Sequence, residues 1–386
     1  MAGLGDVQNS IYLGGLSGAR PPVPTAPGAL REAARRALAP EAFDYLDGAA
    51  GTERTAAANA AAFDRHRIVP RMLSGRAERD LSVTVAGAQL PVPVLAAPVG
   101  VLGIVHPDGE LAVARACAAL GVTMVLSTQS STPMEQVASA AGAGASRWYQ
   151  LYWPNVPELA DSLIARAEAA GYTALVVTLD TPMLGWRPRD LDRAYLPFLQ
   201  GKGIANYTSD PVFRSLLPQT ASPQEAALAS VQTFVQVFGS LALTFDDLAG
   251  LCARTRLPVL VKGVLHPDDA VAAANAGAAG VIVSNHGGRQ VDRGRAALDA
   301  LPDVVQAVGD GCDVLFDSGI RSGADIAVAL ALGARAVLVG RPYAYGLGVA
   351  GEQGASAVLA HLLGELDITL ALAGCRTPRD LVVAAA

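Results

Sequence analysis

Residues 272–285 read "AAANAGAAGVIVSN". An alanine-rich, helix-like stretch stops at Gly277, and a short, uniformly apolar, β-branched run follows. Glycine accepts the left-handed conformation cheaply, so it marks a helix C-terminus. A run that is apolar on both faces reads as a strand covered on both sides. The same phrase recurs as "ARACAALGVTMVLS" (114–127), "ARAEAAGYTALVVTLD" (165–180) and "AVALALGARAVLVG" (327–340). Helix, glycine and strand repeated in that order predict βα units around a parallel sheet.

Working outward from these stretches gives eight strand candidates: 92–97, 122–127, 146–152, 173–180, 258–262, 279–284, 312–317 and 335–340. A helical stretch follows each one. Eight consecutive units predict an α/β fold, a single (β/α)8 TIM barrel. An open doubly wound sheet is the alternative, but no GxGxxG follows the first strand. Residues 1–90 form an N-terminal extension packed on the barrel of residues 91–386. The extension carries a helical piece at 27–51 and a hairpin at 81–92. A long insertion, 185–243, separates the fourth strand from its helix, and such insertions are usually functional. It is expected to be a lid.

The chain has 386 residues, 51% hydrophobic and 17% charged, an ordinary globular balance. A core of this size needs no staples. A net charge of −6 with no long basic run argues against nucleic acid as a partner. Cys117, Cys252, Cys312 and Cys375 lie far apart and form no CxxC pair, so neither a metal site nor a disulfide framework is expected. A reducing cytoplasm fits that usage. The N-terminus does not read as a signal peptide. No 18-residue apolar run free of polar breaks stands out, so no membrane partner is expected.

In a barrel of this kind chemistry sits where strands end and βα loops begin. Those ends read "AAPVGV", "STQSS", "YQLYW", "TLDTPMLGWRPRD", "VKGV", "SNHGGRQVD", "DSGIRSG" and "VGRPY". They hold polar groups that the strand interiors lack, which is expected of a site and not of a core. The last two loops are where barrel enzymes commonly hold phosphate. Gly319, Gly323 and Gly340 would let the backbone approach it, and Arg341 and Arg321 would add charge-assisted bonds. Lys262, at a strand end, is a cation placed to face a group that becomes anionic. His286 can take a proton near neutral pH. Arg289 can clamp a carboxylate through two parallel bonds, and Asp180 can hold the imidazolium. Together these suit a substrate with an acid group beside a departing proton. His106 and His266 precede prolines at helix starts, and His66 and His361 read as surface or packing residues. Trp186 sits in a rim loop, where it can line a pocket.

The rim motifs "SNHGGRQVD", "LVKGV", "YQLYW", "TLDTPMLGWRPRD" and "FDSGIRSGADIAVALALGARAVLVGRP" closely resemble the FMN-dependent 2-hydroxy acid oxidase and dehydrogenase family. The likeness runs from about residue 30 to "LAGCRTPRDL" (372–381). The stretch 184–213 looks most like the lactate 2-monooxygenase branch. The resemblance implies FMN as cofactor, a small L-2-hydroxy acid as substrate, O2 as acceptor and a homotetramer. It implies His286 as the active-site base, with Asp180 paired to it. Arg187 and Arg289 would bind the substrate carboxylate, and Tyr45 and Tyr152 the substrate oxygens. Lys262 would sit by the flavin N1–O2 edge. Gln150, Thr178, Ser127 and the backbone of Ala97, Pro98, Val99 and Gly100 would contact the isoalloxazine or ribityl, with Ser284 nearby. Asp317, Gly319, Arg321, Gly340 and Arg341 would hold the ribityl and phosphate. Two positions depart from many relatives, which carry tryptophan at Gln129 and alanine at Gly100.

The expected activity is lactate oxidation with O2, giving acetate, CO2 and water. The alternatives are an oxidase releasing the 2-oxo acid and H2O2, or a dehydrogenase using another acceptor. A rival from another class is a non-redox phosphate-binding isomerase or aldolase with Lys262 as Schiff-base nucleophile. A non-enzymatic binding protein is disfavoured by the charged rim.

Overall fold

A computed structural model describes residues 3–386. Eight parallel strands close into a barrel. They are β1 (Val94–Ala96), β2 (Thr123–Ser127), β3 (Arg147–Tyr152), β4 (Leu175–Thr178), β5 (Val259–Val264), β6 (Gly280–Val283), β7 (Asp313–Phe316) and β8 (Ala336–Val339). Each pairs with its neighbours in sequence, and β8 closes on β1 with Val337 opposite Val94. The strands end within a few residues of the expected bounds.

Side chains alternate across each strand, so one parity points into the barrel. The inward set is Leu95, Val125, Trp148, Val176, Leu260, Ile282, Leu315 and Leu338, all buried. The next inward positions toward the C-terminal mouth are Ala97, Ser127, Gln150, Thr178, Lys262, Ser284, Asp317 and Gly340. Apolar layers thus give way at one end to a polar layer that is itself buried, so its groups need partners. At the other end the hairpin of Val83–Val85 and Ala88–Leu90 plugs the barrel. Its Val85 and Leu90 join the interior cluster, and the Ala86 amide donates to Asp313 Oδ2 at 2.7 Å.

Two sequence expectations need correction, and one helix bears on a third. The helical piece at 27–51 is two helices, Pro27–Ala37 and Pro40–Asp47. Pro40 forces Ala39 out of the helical region, to φ −57° and ψ 140°. Next, one helix, Arg341–Leu372, is long and apolar enough to cross a membrane by length and composition. It is interrupted at Ala350 and Gly351, and it packs on helices Pro27–Ala37, Gly109–Leu120 and Gly323–Ala331. Finally, Trp186 is 74% exposed and lies outside the rim cleft. Its backbone carbonyl, not its ring, is used: it accepts from the Gly51 amide at 2.8 Å.

The insertion holds four short helical turns and one long helix, Pro223–Val237. Phe198, Tyr207, Phe213 and Phe234 build an aromatic cluster inside it. It is seated on the barrel mouth by Phe198 against Tyr45, Phe238 against Tyr152, and the Ala205 amide on Ser130 O. The N-terminal extension meets the insertion at Tyr45 and through Arg189 with Asp47 and Glu53, and caps the adjoining part of that mouth. Its Ala50 amide donates to Gly288 O, and Thr52 and Thr55 bond Asp292.

Helix Arg54–Phe63 makes the tightest of these ties. Buried Asn59 and Asn285 exchange two amide bonds of 2.8 Å. Asn59 Oδ1 also accepts from the Ala297 amide, and Asn285 Oδ1 from the Gly288 amide. Asn59→Ala strands an Asn285 donor and the Ala297 amide in a buried site. The expected loss is about 2–4 kcal/mol. Urea unfolding will read it as a lowered midpoint with unchanged slope.

Candidate active site

The polar layer and its loops form one cleft. Tyr45, Tyr152, Thr181, Leu184, Arg187, His286 and Arg289 line one part of it. Ala97, Pro98, Val99, Gly100, Gln129, Lys262, Asp317, Ser318, Gly319, Arg321, Gly340 and Arg341 line the rest. Ser127, Gln150, Thr178 and Ser284 are buried in the layer beneath. Asp180 stands behind His286. Residues from all eight strand ends therefore converge, although they run from Ala97 to Arg341 in the chain.

His286 opens the turn after β6. Its own φ is +57°, and Gly287 and Gly288 follow at +66° and +79°. A Cβ on Gly288 would come within 2.6 Å of the Ala56 amide nitrogen, so the second glycine is sterically required. Ser284 Oγ accepts from the His286 amide at 3.0 Å, and Ser318 Oγ from the Gly287 amide at 3.0 Å. The ring is thereby aimed. Its Nδ1 lies 2.8 Å from Asp180 Oδ1, and its Nε2 lies 3.4 Å from the Tyr152 hydroxyl. With Nδ1–H donating to the carboxylate, Nε2 is left as the free base.

Asp180 reaches His286 because Gly263 leaves room. β5 bulges between Lys262 and Val264, and Gly263 takes φ +102°. A Cβ there would sit 2.6 Å from Asp180 Cβ. Burial alone would raise the Asp180 carboxyl. His286, Lys262 and the hydrogen bonds of His286 and Thr181 outweigh it and hold the pKa at about 2. Burial pulls the His286 imidazole below its ordinary value; Asp180 opposes the shift, and Lys262 and Arg187 add to it. The pair is thus an anion beside a neutral ring.

Lys262 Nζ lies 3.1 Å from Asp317 Oδ2 and 2.9 Å from Ser284 Oγ. Burial works against its charge, but Asp317 and Asp180 prevail and keep the amine protonated. Arg187 bonds Arg289 O and Gln290 Oε1. Arg289 bonds the carbonyls of Tyr45 and Gly48, and its guanidinium lies 5.2 Å over the Tyr45 ring. Arg341 bonds the carbonyls of Leu46, Gly287 and Gly48; Arg321 turns back on Ile320 O. None of these four arginines pairs with a carboxylate among the described residues. Burial, and then the Arg289 charge, push Arg187 and Arg341 each down to about 10. Buried cations without counter-charges favour anionic ligands.

Four contributors escaped the sequence reading. Thr181 and Gln290 adjoin residues that were singled out, so their motifs held the signal. Ser318 follows Asp317 in the same way. Asn59 had none, because a lone asparagine in an alanine-rich helix looks like surface.

The family model for FMN-dependent dehydrogenases matches residues 34–385. The chain belongs to that family. It is 43% identical over 378 residues to the FMN-dependent alpha-hydroxy acid dehydrogenase qulF of Penicillium citrinum, covering 97% of this chain and 94% of the relative. It is 42% identical over 356 residues to the L-lactate oxidase of Lysinibacillus sphaericus (strain C3-41), covering 92% and 91%. The structure of mandelate oxidase with (S)-4-hydroxymandelic acid superposes with a TM-score of 0.83 at 37% identity, covering 94% of this chain and 99% of that one. The protein is an FMN-dependent 2-hydroxy acid oxidoreductase.

The residues present fit FMN. Gln150 Nε2 is a buried donor with no protein partner. It sits in the layer directly under the cleft, beside Ser127 Oγ, which donates to Gln150 Oε1 at 3.1 Å. Unpaired Arg321 and Arg341 suit a phosphate, and Lys262 suits an electron-rich ring edge. Gly100 keeps the wall low: a Cβ there would crowd Gln129 O at 3.1 Å.

His286→Ala is expected to keep its FMN, measured by flavin absorbance per chain. Anaerobic flavin reduction by a 2-hydroxy acid should fall at least about 10³-fold, the scale of a lost general base. In the native enzyme the base works while neutral. kcat/KM should therefore be flat through neutrality and fall on the acid side, with its midpoint below the ordinary histidine value of about 6.5.

Proposed function

We propose that the protein oxidises L-lactate with O2 as acceptor and retains the 2-oxo acid, so that acetate, CO2 and water leave. The observation that carries this reading is the seating of residues 185–243 on the cleft mouth, with Phe198 on Tyr45 and Phe238 on Tyr152. A segment with its own aromatic core slows exit better than a loose strap. The relative named L-lactate oxidase supports lactate as the substrate.

Bound FMN supplies the two-electron acceptor. The chain's residues do the rest. Arg187 and Arg289 take the substrate carboxylate, which gives buried Arg187 and half-buried Arg289 the counter-charge they lack. Tyr45 and Tyr152 hold the substrate oxygens. That would hold the reacting carbon in one orientation, an effect worth several powers of ten. His286 Nε2 accepts the proton, and anionic Asp180 stabilises the imidazolium through Nδ1–H. Lys262, held charged by Asp317, offsets negative charge arriving on the cofactor. Leu184, Tyr45 and the seated insertion exclude water. If pyruvate is still enclosed when H2O2 forms, the two give acetate, CO2 and water.

A second reading is release of pyruvate and H2O2, which the relatives named L-lactate oxidase favour. A homotetramer is part of the same reading, with the exposed apolar side chains Tyr12, Leu13, Leu16, Met72, Leu73 and Leu372 available to contact a second copy. Aerobic turnover of L-lactate, with product analysis, tests the proposal. Acetate and CO2 without free H2O2 are expected; stoichiometric pyruvate and H2O2 would favour the second reading, and no turnover of L-lactate would remove lactate as the substrate.

A further inference from the structure

Thr181 stands between Asp180 and Pro182 and is buried. Its hydroxyl donates to Asp180 Oδ1 at 2.8 Å and lies 3.2 Å from His286 Nδ1. That Nδ1 lies 2.8 Å from the same Oδ1. One carboxylate oxygen therefore takes both donors, and the buried Oδ2 takes none. A hydroxyl has one proton to give. Spent on Oδ1, it competes with the imidazole for that oxygen's electron density.

The position is stiff on both sides. The residue before a proline is confined to extended backbone. Pro182 is in turn backed by the returning end of the insertion, where a Cβ on Gly239 would overlap Pro182 O. Thr181 also lines the substrate cleft on one side and a second groove, with Trp153, Leu243 and Phe245, on the other. It is the wall between them.

We propose that Thr181 is a positioning residue for this reaction: its hydroxyl shares Asp180 Oδ1 with His286 Nδ1, setting the ring's direction and tempering how tightly the carboxylate holds a protonated imidazole. Removing the hydroxyl leaves Asp180 a stronger acceptor for Nδ1–H, which raises the proton affinity of His286. It also frees the carboxylate to turn, which loosens the aim of Nε2. The other charged and titratable groups facing the pair are Lys262 from β5, Tyr152 from β3, Tyr45 from the extension, and Arg187 and Arg289 from the rim loops. None of them bonds Oδ1, so they form a constant background.

The test compares Thr181→Val, Thr181→Ser and Thr181→Ala as holoenzymes. Ring-nitrogen NMR of labelled histidine follows the His286 titration, assigned by its absence in His286→Ala. Anaerobic flavin reduction by a 2-hydroxy acid gives limiting rate and substrate dissociation constant across pH. In Thr181→Val the His286 midpoint should rise by about half a pH unit, a fraction of one hydrogen bond's worth. The limiting rate should fall about tenfold with substrate affinity within about twofold, as expected for an orientation effect. Thr181→Ser should recover most of the rate and the native midpoint. The proposal is overturned by an unshifted midpoint in Thr181→Val, by a serine variant as impaired as valine, or by a change confined to substrate affinity. Should the valine variant fail to fold, Thr181→Ala carries the same comparison.

Discussion

A 2.8 Å hydrogen bond between His286 Nδ1 and Asp180 Oδ1 is the contact around which the site is organised. Both groups are mostly withdrawn from solvent, and burial opposes charge on either one. The carboxylate stays ionised because Lys262 lies nearby and Thr181 and His286 donate to it. The imidazole stays neutral because burial and that same lysine oppose its protonation. Local structure is bent to permit the contact: Gly263 bulges β5 to admit Asp180, and His286 adopts positive φ at the end of β6. Non-glycine residues with positive φ persist only where the surroundings over-determine them. Ser284, Ser318 and the Asn59–Asn285 pair are those surroundings.

The second constraint is charge. Five cations line one cleft, and only Lys262 has a carboxylate partner among the described residues. The guanidinium groups are held by backbone carbonyls instead, at Tyr45, Leu46, Gly48, Gly287 and Arg289. Carbonyl dipoles orient a guanidinium without neutralising it. The result is a preorganised excess of positive charge suited to a phosphate and a carboxylate. Most of those carbonyls belong to the N-terminal extension, which therefore contributes to the site as well as to stability.

Much of this was legible in the chain. Four apolar β-branched runs after glycine-stopped helices, with four further strand candidates at similar spacing, implied the barrel, because helix–glycine–strand repetition points to βα units around a parallel sheet. Barrel closure then put Ser127, Gln150, Thr178, Lys262, Ser284 and Asp317 in one inward layer. Their polarity at the end of apolar strands was visible in one dimension. The helix break at Pro40 was readable too, from the restriction proline places on its predecessor, and was missed. The role of Trp186 was misread, because an aromatic residue in a rim loop carries no mark of which way it faces.

Sequence alone determined the fold class, the family and the residue types at the rim, since these follow from local periodicity and from motifs only a few residues long. Tertiary structure alone decided which atoms meet. That Asn59 locks the His286 turn, that Gly263 makes space for Asp180, and that Thr181 and His286 converge on one carboxylate oxygen all depend on contacts between distant segments. Such contacts are set by barrel closure and by the bulge in β5, and neither leaves a periodic trace in the chain.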